Sequence, residues 1–203
     1  MKKVLITAML LLSAATMSAQ IAKVSFGIKG VGLATMPGTD PAPTTMFQFG
    51  GGGGAFLGIK LGRVFGLQVE GMYGLQTASY QYSGPSSTLI STQNNYLYVP
   101  VVAQLWLGKS FAFEAGYQQA IALFGKIKTD SSSQSWKDDG GILDYGSFIA
   151  GININAGKVV FLNFRYTMAL TPSYVMTTEP SKNMGLQVGL GFRFFTTKKS
   201  LFQ

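Results

Sequence analysis

The sequence predicts an all-β fold: a transmembrane, antiparallel, up-and-down β-barrel of about eight strands, following a cleaved signal peptide. Three observations predict it. Apolar residues alternate with small or polar ones through the candidate strands, and successive strand residues point to opposite faces. Tight and long connections strictly alternate along the chain, the layout of barrels with short turns at one rim and longer loops at the other. Beyond the N-terminus no segment is an apolar run of the ~20 residues that a spanning helix needs, so membrane residence falls to strands.

The N-terminus reads as an address. Met1-Lys2-Lys3 is a basic start, residues 4–12 are apolar, and residues 13–19 are small and polar, with Ala19 at the cleavage point. Residues 1–19 are therefore expected to be a signal peptide and residues 20–203 a single barrel domain. The apolar stretch is too short to anchor the chain across a ~30 Å bilayer.

Strands are expected at 23–34, 47–60, 64–81, 94–107, 111–128, 143–156, 158–171 and 183–195. Each can cross at a tilt, because ~9–11 residues suffice. Leu61-Gly62-Arg63, Gly108-Lys109-Ser110 and Ala156-Gly157-Lys158 make the tight connections; residues 35–46, 82–93, 129–142 and 172–182 make the long ones. With an even strand count both termini fall on the tight-turn side, which is expected to face the periplasm.

The faces follow from the alternation. In the last strand Met184, Leu186, Val188, Leu190, Phe192 and Phe194 oppose Gly185, Gln187, Gly189, Gly191 and Arg193. In the seventh, Leu162, Phe164, Tyr166 and Met168 oppose Asn163, Arg165 and Thr167, and in the fifth Phe113, Ala115 and Tyr117 oppose Glu114, Gly116 and Gln118. A soluble barrel would turn the apolar face inward. Here that face is too bulky for an eight-stranded interior, and the other face is poor in charge, so the apolar face is expected to meet lipid. Aromatic belts are expected at Phe65, Trp106, Phe111, Phe161 and Phe194 on one rim and at Tyr80, Tyr82, Tyr96 and Tyr174 on the other.

Composition narrows the chemistry. Charged residues are 12% of the chain, against about 25% in a typical soluble domain. Cysteine and histidine are absent, which removes disulfides, thiolate metal sites and every histidine-based catalytic arrangement. No catalytic residue, cofactor or metal is expected. The formal charge is +8, two of it from Lys2 and Lys3, and no basic cluster exceeds Lys198-Lys199; nucleic acid is not an expected partner. The run Gly50 to Gly54 lacks the following helix and Lys-Ser or Lys-Thr of a phosphate loop. It is expected to form a bend, or a slot where a bulky neighbour covers bare backbone. Asp130, Asp138 and Asp139 lack the spacing of a calcium loop.

Five charges fall on the inward faces: Lys29, Glu70, Glu114, Arg165 and Arg193. Three cations and two carboxylates in so narrow a lumen must be paired. They are expected to form a structural plug, with Glu70 and Glu114 as the partners of Arg165. The competing readings are an ion-selective constriction and a carboxylate pair for acid–base work.

Several motifs in order carry a family resemblance: Phe26-Gly27-Ile28-Lys29-Gly30, Tyr96-Leu97-Tyr98-Val99-Pro100, Phe164-Arg165-Tyr166, Lys182-Asn183-Met184-Gly185-Leu186 and Gly191-Phe192-Arg193-Phe194. Together they resemble the PorT-type outer-membrane β-barrel domain of Bacteroidetes over most of the mature chain. The resemblance implies the outer membrane of a Gram-negative bacterium, and for some members a part in protein secretion to the cell surface. Gln187, Gly189, Phe192 and Phe194 look like the closing-strand signal read by the barrel assembly machinery, although residues 195–203 extend past the final aromatic. The expected function is a non-enzymatic barrel with a filled lumen that acts as a structural, loop-display or envelope or secretion-assembly component. Its partners are outer-membrane lipids, the assembly machinery and an envelope or secretion protein. The alternative is a small pore or transporter.

Overall fold

A computed structural model of the protein describes residues 22–37, 48–82, 88–129, 132–135, 143–171, 174–175, 180–181 and 183–199. The expected signal peptide and Asp130, Asp138 and Asp139 lie outside them. Eight strands form the barrel: β1 (Ala22–Pro37), β2 (Gln48–Leu61), β3 (Phe65–Tyr82), β4 (Thr88–Leu107), β5 (Phe111–Thr129), β6 (Tyr145–Ala156), β7 (Val160–Ala169) and β8 (Asn183–Lys199). Each pairs antiparallel with its sequence neighbour, and β8 closes on β1.

One circuit of the ladder runs Phe26, Leu57, Val69, Val101, Tyr117, Phe148, Met168, Met184 and back to Met36. It returns to β1 ten residues further along than it began. This stagger is what tilts the strands of a closed barrel, typically by ~35–45°. Every residue of the circuit is apolar or tyrosine and exposed. Such a continuous apolar outside is stable against hydrocarbon, and closure leaves no strand edge to satisfy there.

The three tight turns follow Leu61, Leu107 and Ala156. Each carries one glycine with positive φ: Gly62 at 61°, Gly108 at 74° and Gly157 at 87°. At the opposite rim, two of the expected long connections hold extra pairing. Ser132–Ser135 adds to the end of β5, and Tyr174–Val175 pairs with Pro180–Ser181. β4 starts at Thr88, so most of the expected loop 82–93 is strand.

Strict alternation fails at two bulges. Leu123 is the extra residue of β5, because Asn95 pairs with Phe124 and Tyr96 with Ala122. The bulge flips the faces beyond it, so Phe124 points outward, 47% exposed, where continued alternation would place it inside. Phe194 is the extra residue of β8, between the partners of Phe26 and Gly27. The ladder between β3 and β4 also lapses at Glu70 and Gly71, beside Pro100, which has no N–H to donate.

The aromatic belts need correction. Phe65 and Phe194 are exposed, but Trp106, Phe161 and Tyr96 are buried in the lumen. Their parity matches Gln104, Asn163 and Asn94, not the lipid-facing residues between. The Tyr80, Tyr82 and Tyr174 side chains lie outside the described residues.

Inward side chains fill the barrel in layers. Phe56, Trp106 and Phe161 occupy the turn-side end, with the Phe56 and Phe161 rings edge to face at 5.2 Å. Charges and amides fill the middle. Tyr96, Tyr98 and Tyr145 lie toward the loop-side end with Val31, Met72 and Ala120. Several lumenal rings lie over glycine: Phe56 on Gly27, Trp106 on Gly66, Tyr98 on Gly74 and Phe161 on Gly191. A Cβ at Gly27, Gly74 or Gly191 would collide with the ring, and one at Gly66 would press on Trp106 at 3.0 Å.

The Gly50 to Gly54 run is neither bent nor bulged. It pairs in unbroken register with β1 and β3. A Cβ on inward Gly54 would stand 2.6 Å from the Met72 Cα, and one on Gly52 would stand 2.9 Å from the Gly74 Cα. Bare backbone here lets β3 close in, and it is backbone rather than a bulky side chain that fills the space.

Candidate functional site

Alternation sends Lys29 (β1), Glu70 (β3), Glu114 (β5) and Arg165 (β7) into the mid-lumen, and each is at most 3% exposed. Arg165 is the hub. Its Nη2 and Nη1 donate to Glu70 Oε1 and Oε2 at 2.5 and 3.0 Å, and its Nε donates to Glu114 Oε2 at 2.8 Å. Lys29 Nζ donates to both Glu70 oxygens, at 3.2 and 3.1 Å, and to Asn163 Oδ1 at 2.9 Å. Gly189 on β8 makes room for this lysine, since a Cβ there would lie 2.8 Å from Lys29 Cε.

Amides complete the set. Gln68 Nε2 donates to Glu70 at 2.8 Å. Glu114 accepts from Gln104, Asn153 and Asn163 at 3.1, 3.0 and 2.8 Å. Gln104 also donates to Gln68 Oε1 at 3.2 Å. These four amides were not singled out as network members from the sequence. The signal was present: each shares strand and parity with a charge or lies on the matching inward face, and polar residues on a charged lumen face are the available donors.

The arrangement is neutral, with two cations against two carboxylates. Every carboxylate oxygen accepts at least two hydrogen bonds. Neither Glu70 nor Glu114 is free to take a proton from a substrate, and no open constriction separates them. Among the described residues no group of His, Cys, Asp and Glu is placed to hold a metal. A cavity of about 10 Å³, lined in part by Gln76, Gln118 and Gln187, lies on the loop side of the network; that is room for about one water.

Arg193 does not join the network. Arg165 pairs with Gln187, six residues from Arg193 along β8, and six residues of strand span ~20 Å. Its guanidinium instead lies 4.6 Å from the Phe161 ring centre and 6.0 Å from that of Trp106. In the closing strand, Gln187 and Gly189 face the lumen, while Phe192 and Phe194 face outward. Phe194 meets Phe26 with ring centres 6.4 Å apart.

A closed β-barrel of this kind has known counterparts. A family model for the outer membrane protein beta-barrel domain matches residues 4–194. The chain belongs to this family. As an outer membrane beta-barrel protein, it resides in the bacterial outer membrane. Among solved structures, Neisserial surface protein A is similar at 8% identity and a TM-score of 0.53, over 84% of this chain and 99% of that one. Ail, the attachment invasion locus protein of Yersinia pestis, solved with the heparin analogue sucrose octasulfate, is similar at 14% identity and a TM-score of 0.49, over 85% and 99%. The likeness to the Neisserial barrel extends to the fold alone. No curated protein matches the chain.

Proposed function

We propose that this outer membrane barrel is a non-enzymatic structural, loop-display or envelope or secretion-assembly component of the PorT type. The neutral, saturated network across the mid-lumen carries this reading, because it occupies the path that a solute would take and leaves no carboxylate for catalysis. The chain is exported by cleavage of residues 1–19. Its closing strand, through Gln187, Gly189, Phe192 and Phe194, is read by the barrel assembly machinery. The long connections face the cell exterior and serve as the surface for an envelope or secretion partner.

The test is co-purification from native membranes in mild detergent, with the barrel carrying a tag after Gln203. One envelope protein in fixed ratio to the barrel, together with loss of surface-exported proteins or of detergent resistance in a deletion strain, is the expected outcome. A barrel that purifies alone, with an unchanged deletion strain and measurable solute uptake in proteoliposomes, supports the pore instead.

A further inference from the structure

We propose that the turn-side mouth of the barrel binds a phosphate-class oxyanion, held by Lys23, Lys60 and Arg193 together with the indole N–H of Trp106. The mouth carries a cluster of like charges that no carboxylate among the described residues pairs. Lys23 and Lys60 are direct cross-strand partners on β1 and β2. Like charges directly opposite one another destabilise a sheet. Lys60 Nζ lies 4.1 Å from the centre of the Trp106 ring, and Arg193 approaches the same ring.

No carboxylate lies within ion-pair distance of Lys23, Lys60 or Arg193 among the described residues. Glu114 acts on Arg193 through space, but its oxygens are already taken by Arg165 and three amides. A second observation is independent of these charges. Trp106 is only 6% exposed, and its Nε1 donor has no acceptor among the described residues. That nitrogen stands 3.0 Å from the place a Cβ would take at Gly66, the cross-strand partner of Lys60. The unused donor is therefore at the level of the lysines, on the lumen side.

The donor set defines the ligand. Lysine, arginine and indole offer only N–H groups and no acceptor. A tetrahedral oxyanion offers only acceptors and carries the compensating charge. A metal cation is repelled, and a neutral sugar leaves its hydroxyl donors unmatched. Free phosphate and the phosphate of a phospholipid headgroup at the rim share this chemistry.

The experiment uses the mature chain in maltoside micelles, with Trp136→Phe so that Trp106 is the sole tryptophan. Sodium phosphate is titrated against sodium chloride at matched ionic strength. We expect a saturable change in Trp106 emission with phosphate alone. Lys60→Gln should weaken it by about tenfold or more, while Lys60→Arg retains it. Urea unfolding in phosphate-free buffer adds a readout that loss of fold cannot mimic: Lys60→Gln should unfold at higher urea than the parent, since a repulsion is removed. In nanodiscs containing phosphatidylglycerol, a phosphate response that persists identifies a soluble ligand. An emission already shifted and unresponsive identifies the lipid headgroup. An equal response to chloride, an equal response in Lys60→Gln, or no emission change with phosphate in micelles or on transfer to nanodiscs overturns the site.

Discussion

Arg165 bonds both buried carboxylates at once, so its removal leaves Glu70 with Lys29 and Gln68 and Glu114 with amides only. Breaking a buried pair in this way typically costs ~3–5 kcal/mol. We expect Arg165→Ala to lower barrel stability by about that amount in urea unfolding, and double-mutant cycles to show coupling of Arg165 to both glutamates. Unchanged stability and zero coupling would contradict the hub. Parity in the sequence places Lys29, Glu70, Glu114 and Arg165 on inward faces. It places Arg193 there too, but parity says nothing of height. Which inward residues meet is set by the ten-residue stagger, a property of the closed barrel that no single strand encodes. The same gap hides the roles of Gln68, Gln104, Asn153 and Asn163.

At the level of strands, steric demand differs sharply between glycines on opposite faces. A Cβ at Gly54 meets β3 backbone, whereas one at Gly71, on the outer face, has open space. Gly54→Ala should destabilise by about 1–3 kcal/mol through overpacking, and Gly71→Ala should be neutral or stabilise by about 0.5 kcal/mol; heat-modifiable gel mobility and urea midpoints check both. Equal effects would mean that the close approach of β2 and β3 is misread. In the closing strand, Phe194 packs on Phe26 at the seam where β8 meets β1. Phe194→Ala should therefore reduce the amount of assembled barrel in outer-membrane fractions more than Phe195→Ala. Strands and tight turns were readable because Gly62, Gly108 and Gly157 interrupt clean alternation. The bulges at Leu123 and Phe194 were not, since neither residue differs in type from its strand neighbours. Trp106, Phe161 and Tyr96 were misplaced because β-propensity and belt formation both favour aromatics, and only parity tells an inward ring from an outward one.

The whole molecule joins an apolar exterior to a lumen filled across its middle, and three tight turns put the start of β1 and the end of β8 at one rim. If that rim faces the periplasm, a cysteine at Ser132 reacts with an impermeant thiol reagent on whole cells and one at Gly157 does not; the reverse labelling reverses the orientation. Membrane residence was legible from the apolar faces alone, whereas the sealed lumen rests on contacts among six strands far apart in sequence. The most direct measurement of that seal is single-channel recording of the purified barrel in planar lipid bilayers, wild type beside Arg165→Ala. The closed network should give a wild type with no stepwise conductance, and a variant that leaks or inserts less readily. Steady ohmic steps from the wild type, unaffected by removing Arg165, would show that ions pass where Lys29, Glu70, Glu114 and Arg165 are held to close the lumen.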